Sequence, residues 1–211
     1  IPEAVSQYIP FAASLFLIPI PGLKSLYLWT DADVVSHDAL LQHKLPFLNI
    51  PFFLIRNIVF FGLWIWLVTY LRKISLREDA EGGLKWFEKS EFYSKVFIFI
   101  LAITFSFAIF DWIMSVNPHW YSTIFAIKNF IASFYHGSVI VILLILFLND
   151  KGYFPFLNKS HLHDFSRYIF ILAIIWGYLW FAQFMIIWYG NIPEEAVYFT
   201  VRTCLLYTSP S

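Results

Sequence analysis

The sequence predicts an all-α polytopic membrane helix bundle, and three observations carry that prediction. Hydrophobic residues make up 60% of the 211 positions and charged residues only 13%, against about 25% charged in an average soluble domain. Mean hydropathy is +0.69. The apolar residues gather into five segments, four of which have the roughly 20 residues needed to cross a bilayer core. Lipid offers the backbone no hydrogen-bond partner, so such segments are helices. The formal net charge of zero carries no electrostatic footprint of a nucleic-acid partner. The single cysteine, Cys204, allows no disulfide framework and no cysteine-ligated iron–sulfur cluster.

The first segment, 5–20, is short and interrupted by Pro10 and Pro19, with Pro21 just beyond, and reads as the end of a helix. A second covers 51–71 and opens at Pro51, a residue tolerated in the first turn of a helix. A third covers 92–116 and includes Val96–Phe110, a run without a charge that ends at Asp111. The fourth, 120–148, and the fifth, 168–189, are apolar throughout apart from a few polar positions. Between the first two, Leu40–Leu48 continues an interfacial helix from about Ala32, unless Pro46 and Pro51 break it. The chain opens at Ile1 without Met, and CLLYTSPS at 204–211 reads as a translated sequencing-library adaptor, so it is set aside from fold reasoning as a cloning scar would be.

Orientation follows from Lys and Arg. Arg72, Lys73, Arg77, Lys85, Lys89 and Lys95 lie between the second and third segments, and Lys151, Lys159 and Arg167 between the fourth and fifth. The opposite side has only Lys24 and Lys44 before the second segment and none in the 117–120 turn. The positive-inside rule places 72–95 and 149–167 in the cytoplasm. WTDADVVSHD (29–38), NPHW (117–120) and NIPEE (191–195) then face outward with His37, Asp38, His119, Glu194 and Glu195.

Asp111 is the leading candidate for chemistry. At 1.5 Å per residue it lies roughly 22 Å along the helix from Val96, inside the outer part of a ~30 Å hydrocarbon layer. Ionisable groups at such depth are costly and turn toward the bundle interior. Thr104, Ala108, Asp111 and Ser115 share one helix face, a small polar stripe among Phe and Ile. Arg56 stands at a similar depth on the second segment and is the expected counter-charge, if it does not snorkel to the interface. On the fourth segment, Ser122, Asn129, Ser133 and His136 share one face, and Tyr121, Lys128 and Tyr135 an adjacent one. Two readings stand side by side here: a hydrogen-bonded packing network, or a proton path from Asp111 through Lys128 to His136. Only His136 lies well inside a segment, so bis-histidine haem is not expected. His161 and His163 beside Asp164 read as a solvated helix start rather than a metal site. On the fifth segment, Trp176, Trp180 and Gln183 line one side; they are ordinary interfacial aromatics or the flanks of a quinone head group.

WTDADVVSHDALLQHK (29–44), DWIMSVNPHWYSTIF (111–125), LHDFSRYIF (162–170) and YLWFAQFMIIWYGNIPEE (178–195) together resemble the membrane F subunit of bacterial alternative complex III, of the polysulfide-reductase-like (NrfD) membrane family. The resemblance spans nearly all of residues 1–200. It implies a subunit of about ten helices, of which this chain holds roughly half. It also implies a quinol:cytochrome c, or quinol:electron acceptor, oxidoreductase in the bacterial inner membrane. The implied electron donor is a menaquinol or ubiquinol pool. Iron–sulfur and haem c cofactors would sit in partner subunits, and a sister quinol-binding membrane subunit of the same family would be the better-supported site of quinol oxidation. In such a complex this subunit binds quinol, conducts protons or serves as scaffold.

Quinol oxidation releases two protons, and acid–base groups near the outer face suit their release. Asp111, His119, His37 and Asp38 are the expected proton-exchanging residues. Arg56, Lys128, His136, Glu194 and Glu195 are the expected proton path or ion pairs. Two other readings compete. One is a non-catalytic scaffold of the same complex. The other is an ion-coupled transporter, against which the low glycine content counts, eight in all with Gly62 alone inside the second and third segments. A quinone-sized cavity opening to lipid near Asp111 and His119, on the outer side, favours quinol handling, and tight packing there with Asp111 locked to Arg56 favours the scaffold.

Overall fold

The computed structural model of the chain describes residues 2–82, 84–154, 157–193 and 195–200. Glu194 and the 204–211 octapeptide lie outside the described residues. Among those described, the secondary structure is helical, without a strand: an all-α bundle. Four helices are long and apolar enough to cross a membrane, α6 (Ile50–Glu81), α7 (Leu84–Trp112), α8 (Thr123–Asp150) and α9 (Lys159–Gly190). The chain divides into two compact units, one up to Pro118 and one from His119.

In the first unit, α6 and α7 form an antiparallel hairpin. Its connection turns at Gly82, whose φ of +67° is a backbone state that glycine adopts without a steric penalty. Ala108, fully buried, lets α7 approach α6 closely between Phe60 and Trp64. The N-terminal residues form short helices that pack on this hairpin: α1 (Pro2–Ser6), α2 (Ile9–Leu15), α3 (Leu23–Leu26), α4 (Ala32–His37) and α5 (Ala39–Lys44). Residues 4–15 and 20–26 meet at a 45° bend, so the expected first segment is a bent helix pair, a broken span or a re-entrant loop, rather than one straight helix. The bend falls where Pro19 and Pro21 deny backbone donors to a continuous helix. Tyr27, Trp29, Leu41, Leu48 and Phe53 form the core beneath.

The expected interfacial helix from Ala32 to Leu48 is split. Asp38 is extended (φ −122°, ψ 106°), and its carboxylate accepts from the Leu40 and Leu41 amides at 2.9 and 3.3 Å, starting α5 afresh. Side-chain capping of this kind satisfies amides that a new helix leaves unpaired.

In the second unit, α8 and α9 form another antiparallel pair. A capping box at Asn158 and His161 opens α9, and left-handed Asn191 (φ 46°) closes it. Residues 195–200 are helical and fold back onto the pair. Tyr198 stacks on Trp120 at 4.5 Å, and Phe199 meets Phe184 edge-on at 5.4 Å. The long faces of α8 and α9 remain apolar and exposed, with Leu143, Phe147, Phe170 and Phe181 all more than half accessible. Such faces belong against lipid.

Helix bounds differ from expectation at the polar ends. α6 runs past Leu71 to Glu81, α7 starts at Leu84 rather than Phe92, and α9 at Lys159 rather than Tyr168. Hydropathy marks where a helix leaves the lipid, not where it ends. α8 starts later than expected, at Thr123 instead of Trp120. Ser122 is extended (φ −160°), so Tyr121 and Ser122 precede the helix and the stripes expected through them begin at Lys128 and Asn129.

Candidate functional site

The Asp111 end of the first unit is a sealed polar cluster. Arg56 and Asp111 meet in a two-pronged ion pair: Nε donates to Oδ2 at 2.7 Å and Nη2 to Oδ1 at 2.8 Å. Arg56 Nη1 donates to the Phe47 carbonyl at 2.9 Å, and the guanidinium lies 4.0 and 4.3 Å from the Phe47 and Phe52 ring centres. Asp111 has no accessible surface, and Arg56 retains 8%. The expected pairing and the inward stripe of Thr104, Ala108, Asp111 and Ser115 are both present, all four being buried.

Neighbouring groups complete the cluster. Ser115 Oγ donates to the Asp111 carbonyl at 2.5 Å, and Trp64 Nε1 to Thr104 Oγ1 at 2.8 Å. Trp112 Nε1 donates to Asn57 Oδ1 at 2.6 Å, and the Asn57 amide to the Phe53 carbonyl at 2.7 Å. Tyr27 OH donates to the Trp112 carbonyl at 3.0 Å. Burial first, and the Asp111 charge second, push the Tyr27 phenol above its ordinary value. Sequence reasoning misses the Asn57–Trp112 and Tyr27–Trp112 links. Asn57 beside Arg56 on a greasy segment is the signal for the first. Guanidinium keeps its proton at any ordinary pH, and its planar fork fits a carboxylate in two places at once. A carboxylate so held is a clamp between helices, and the geometry at this position favours the scaffold reading.

The other candidates of this unit, expected to face outward, have local partners. His37 is exposed; its Nδ1 lies 2.8 Å from the Asp33 carbonyl and 3.0 Å from Ser36 Oγ. Asp38 caps α5. Lys44 Nζ donates to the Pro118 carbonyl at 2.5 Å; burial lowers its pKa, and the Asp38 charge opposes that shift.

In the second unit, Lys128 is 97% buried within an aromatic box. Its Nζ donates to Tyr198 OH at 3.2 Å and lies 4.1, 4.8 and 5.2 Å from the Trp180, Phe125 and Tyr198 ring centres. Trp180 therefore faces a cation. Tyr198 escapes sequence reasoning because it follows the last apolar segment. His136 is exposed, with Nδ1 2.6 Å from the carbonyl of Ala132 on its own helix, and its ring edges onto Trp176, which stacks on Tyr135. His119 is exposed. The Glu195 carbonyl accepts from Trp120 Nε1 at 3.2 Å. Among the described residues, no group of three or more His, Cys, Asp or Glu is placed to hold a metal.

Gln183 stands apart. It is 1% exposed, and neither its Oε1 nor its Nε2 has a hydrogen-bond partner among the described residues. It lines a cavity of about 200 Å³ with residues 121–124 at the start of α8, Ile186 and Ile187 of α9, and Glu195. Buried amides are nearly always paired, and Gln7 Nε2 and Trp29 Nε1 in the first unit share this lack of a partner.

The fold and these sites define a multi-pass, all-α membrane protein with buried ionisable groups at the ends of its spans. No protein-family model matches the chain, and no curated protein matches it.

Proposed function

We propose that the chain is part of a membrane subunit of a respiratory quinol:electron acceptor oxidoreductase, and that it receives a quinone or quinol head group in the Gln183 cavity. The class of complex rests on the motifs at 29–44, 111–125, 162–170 and 178–195. The observation that carries the site is a cavity of about 200 Å³ at the head of α8, bordered by Tyr121, Gln183 and Glu195. Tyr121 and Glu195 line the same space and supply a hydroxyl and a carboxylate near the head group. Charge counting supports an outward-facing position for this end of α8 and α9; on this reading that is the periplasmic side of a bacterial inner membrane, where protons from quinol oxidation would be released. The haem c and iron–sulfur groups that accept electrons belong to partner subunits on this reading. Within the assembled complex, Gln183→Leu is expected to slow quinol oxidation at least tenfold at limiting quinol. Unchanged quinol kinetics would sink the assignment of this cavity.

The second reading is a scaffold subunit of the same complex, favoured by the sealed Arg56–Asp111 pair. Asp111→Asn keeps the size of the side chain and removes its charge. Slower proton release with intact assembly would return Asp111 to proton handling, whereas lost assembly with normal turnover per assembled complex supports the clamp.

A further inference from the structure

Basic residues near the Gly82 turn of the first unit are gathered rather than scattered. On α6, Trp66, Tyr70, Lys73 and Arg77 fall at i, i+4, i+7 and i+11 and share one face. On α7, Trp86, Lys89 and Tyr93 fall at i, i+3 and i+7 and share another. The two faces meet where Tyr70 touches Tyr93 edge-on, with ring centres 4.7 Å apart. Lys89 Nζ lies 5.7 Å from the Tyr70 ring centre and 5.4 Å from that of Trp86. Arg77 and Lys85 converge on the same indole, at 5.3 and 5.9 Å. Three cations from two helices thus surround one ring. Among the described residues none of the three forms an ion pair. Glu91 is taken by Lys95 at 2.6 Å, and Glu81 accepts from Trp86 Nε1 at 2.8 Å on the ring's edge. Glu78, Asp79 and Glu88 pair with none of the three.

The height of this cluster points to its ligand. Tyr70 stacks on Trp66 at 6.2 Å, and Trp66 is 56% exposed on the apolar span. Trp and Tyr at the end of a span sit at headgroup level. Lys89 stands beside Tyr70, and Arg77 follows Tyr70 by seven residues, roughly 10 Å further along the helix. The cations therefore stand in and just above the layer of lipid phosphates. Like charges held this close repel, and an anion among them turns that cost into attraction. We propose that Arg77, Lys85 and Lys89 bind the headgroup of an anionic phospholipid in the leaflet on the Gly82 side, with Trp66 against the top of its acyl chains. A lipid fits better than a soluble anion, because the Trp66–Tyr70 ladder joins the cations directly to the hydrocarbon. The site lies in the first unit and is independent of the quinol reading. Each Lys or Arg near an anionic lipid surface is worth about fivefold in affinity.

The test is a lipid titration of the intact protein in mild detergent, read by native mass spectrometry. The probes are dioleoyl phosphatidylglycerol and dioleoyl phosphatidylcholine, which share their acyl chains and differ in headgroup charge. The expected result is at least roughly tenfold tighter binding of the first phosphatidylglycerol than of phosphatidylcholine. The triple variant Arg77→Gln, Lys85→Gln, Lys89→Gln should lose that preference. A control triple in the other basic loop, Lys151→Gln, Lys159→Gln, Arg167→Gln, removes the same charge and should keep it. Equal binding of the two lipids would overturn the proposal. So would an equal loss in both triples, which would reduce it to general attraction. Displacement of the lipid by inorganic phosphate, beyond that by chloride at equal ionic strength, would replace the lipid with a soluble anion and overturn it too. Should the site triple fail to fold, Lys89→Gln alone is expected to cut the preference about fivefold, and an unchanged ratio there would sink the site.

Discussion

The Asp111 cluster of the first unit and Gln183 of the second treat buried polarity in opposite ways, although Gln7 Nε2 and Trp29 Nε1 of the first unit are also buried without a hydrogen-bond partner. In the first, a full charge pair is closed on itself: Arg56 and Asp111 use both prongs, and Asn57, Thr104 and Ser115 all find partners nearby. In the second, a neutral amide, Gln183, is buried with no partner among the described residues and a cavity at its side. A satisfied buried pair has nothing left to offer a ligand, whereas an unsatisfied group has lost hydration and gains on contact. The more conspicuous residue, Asp111, is thus the one whose hydrogen-bonding capacity is already spent, and the inconspicuous Gln183 the one whose capacity is not.

The largest expected effect tests the closed side of that contrast. Arg56→Met strands a buried carboxylate and should lower stability by about 3–5 kcal/mol. Replacing both partners, as Arg56→Met with Asp111→Leu, should restore most of the loss, read from unfolding in detergent with increasing SDS. A double variant no better than the single would show that the pair is not the unit of stability. Lys128→Met comes next, with a loss of about 2 kcal/mol as the ammonium leaves its aromatic box. Faster amide exchange confined to residues 195–200 would show that Lys128 holds this segment through Tyr198.

The open side predicts the reverse sign. Gln183→Leu removes two orphaned polar atoms and should stabilise the ligand-free protein by about 1–2 kcal/mol, seen as a raised midpoint in the same assay. A loss of stability would mean that Gln183 is paired after all. Tyr27→Phe tests a weaker bond and should cost about 1 kcal/mol at neutral pH. The sign with pH follows from the raised phenol. Its folded pKa exceeds the unfolded one, so its contribution is complete below about pH 10 and is lost as pH rises through the folded value. Tyr27→Phe should therefore flatten the alkaline loss of stability. His37→Ala, at an exposed site with local contacts, should change stability by under about 0.5 kcal/mol.

Much of this is legible in the sequence, for identifiable reasons. Four spans announce themselves because lipid admits few charges. Depth alone matches Arg56 with Asp111, and helical spacing alone sets out the Thr104–Ala108–Asp111–Ser115 stripe. Other features carry no such signal. The polar extensions of α6, α7 and α9 follow no hydropathy, since helix continues in water by side-chain capping and packing. The break at Asp38 reads as helix until the carboxylate is seen to cap the next turn. Lys128 stands out in the sequence, but its box needs Tyr198, seventy residues on and past the last apolar run. Gln183 reads as one polar residue beside two tryptophans; that both of its amide atoms lack partners is a property of packing.

The short turn at Gly82 gives the Arg56–Asp111 pair a consequence for biogenesis. Each partner sits on a separate span, and the polar extensions of the two helices meet almost directly at Gly82, making α6 and α7 one continuous hairpin. Entering the bilayer alone, either helix would bring an unmatched charge, a cost of up to about 2.5–3.5 kcal/mol on insertion scales. Entering together, they bring a neutral, already bonded pair. The hairpin is thus the natural parcel for the insertion machinery: α6 gains by lingering at the lateral gate until α7 has been made.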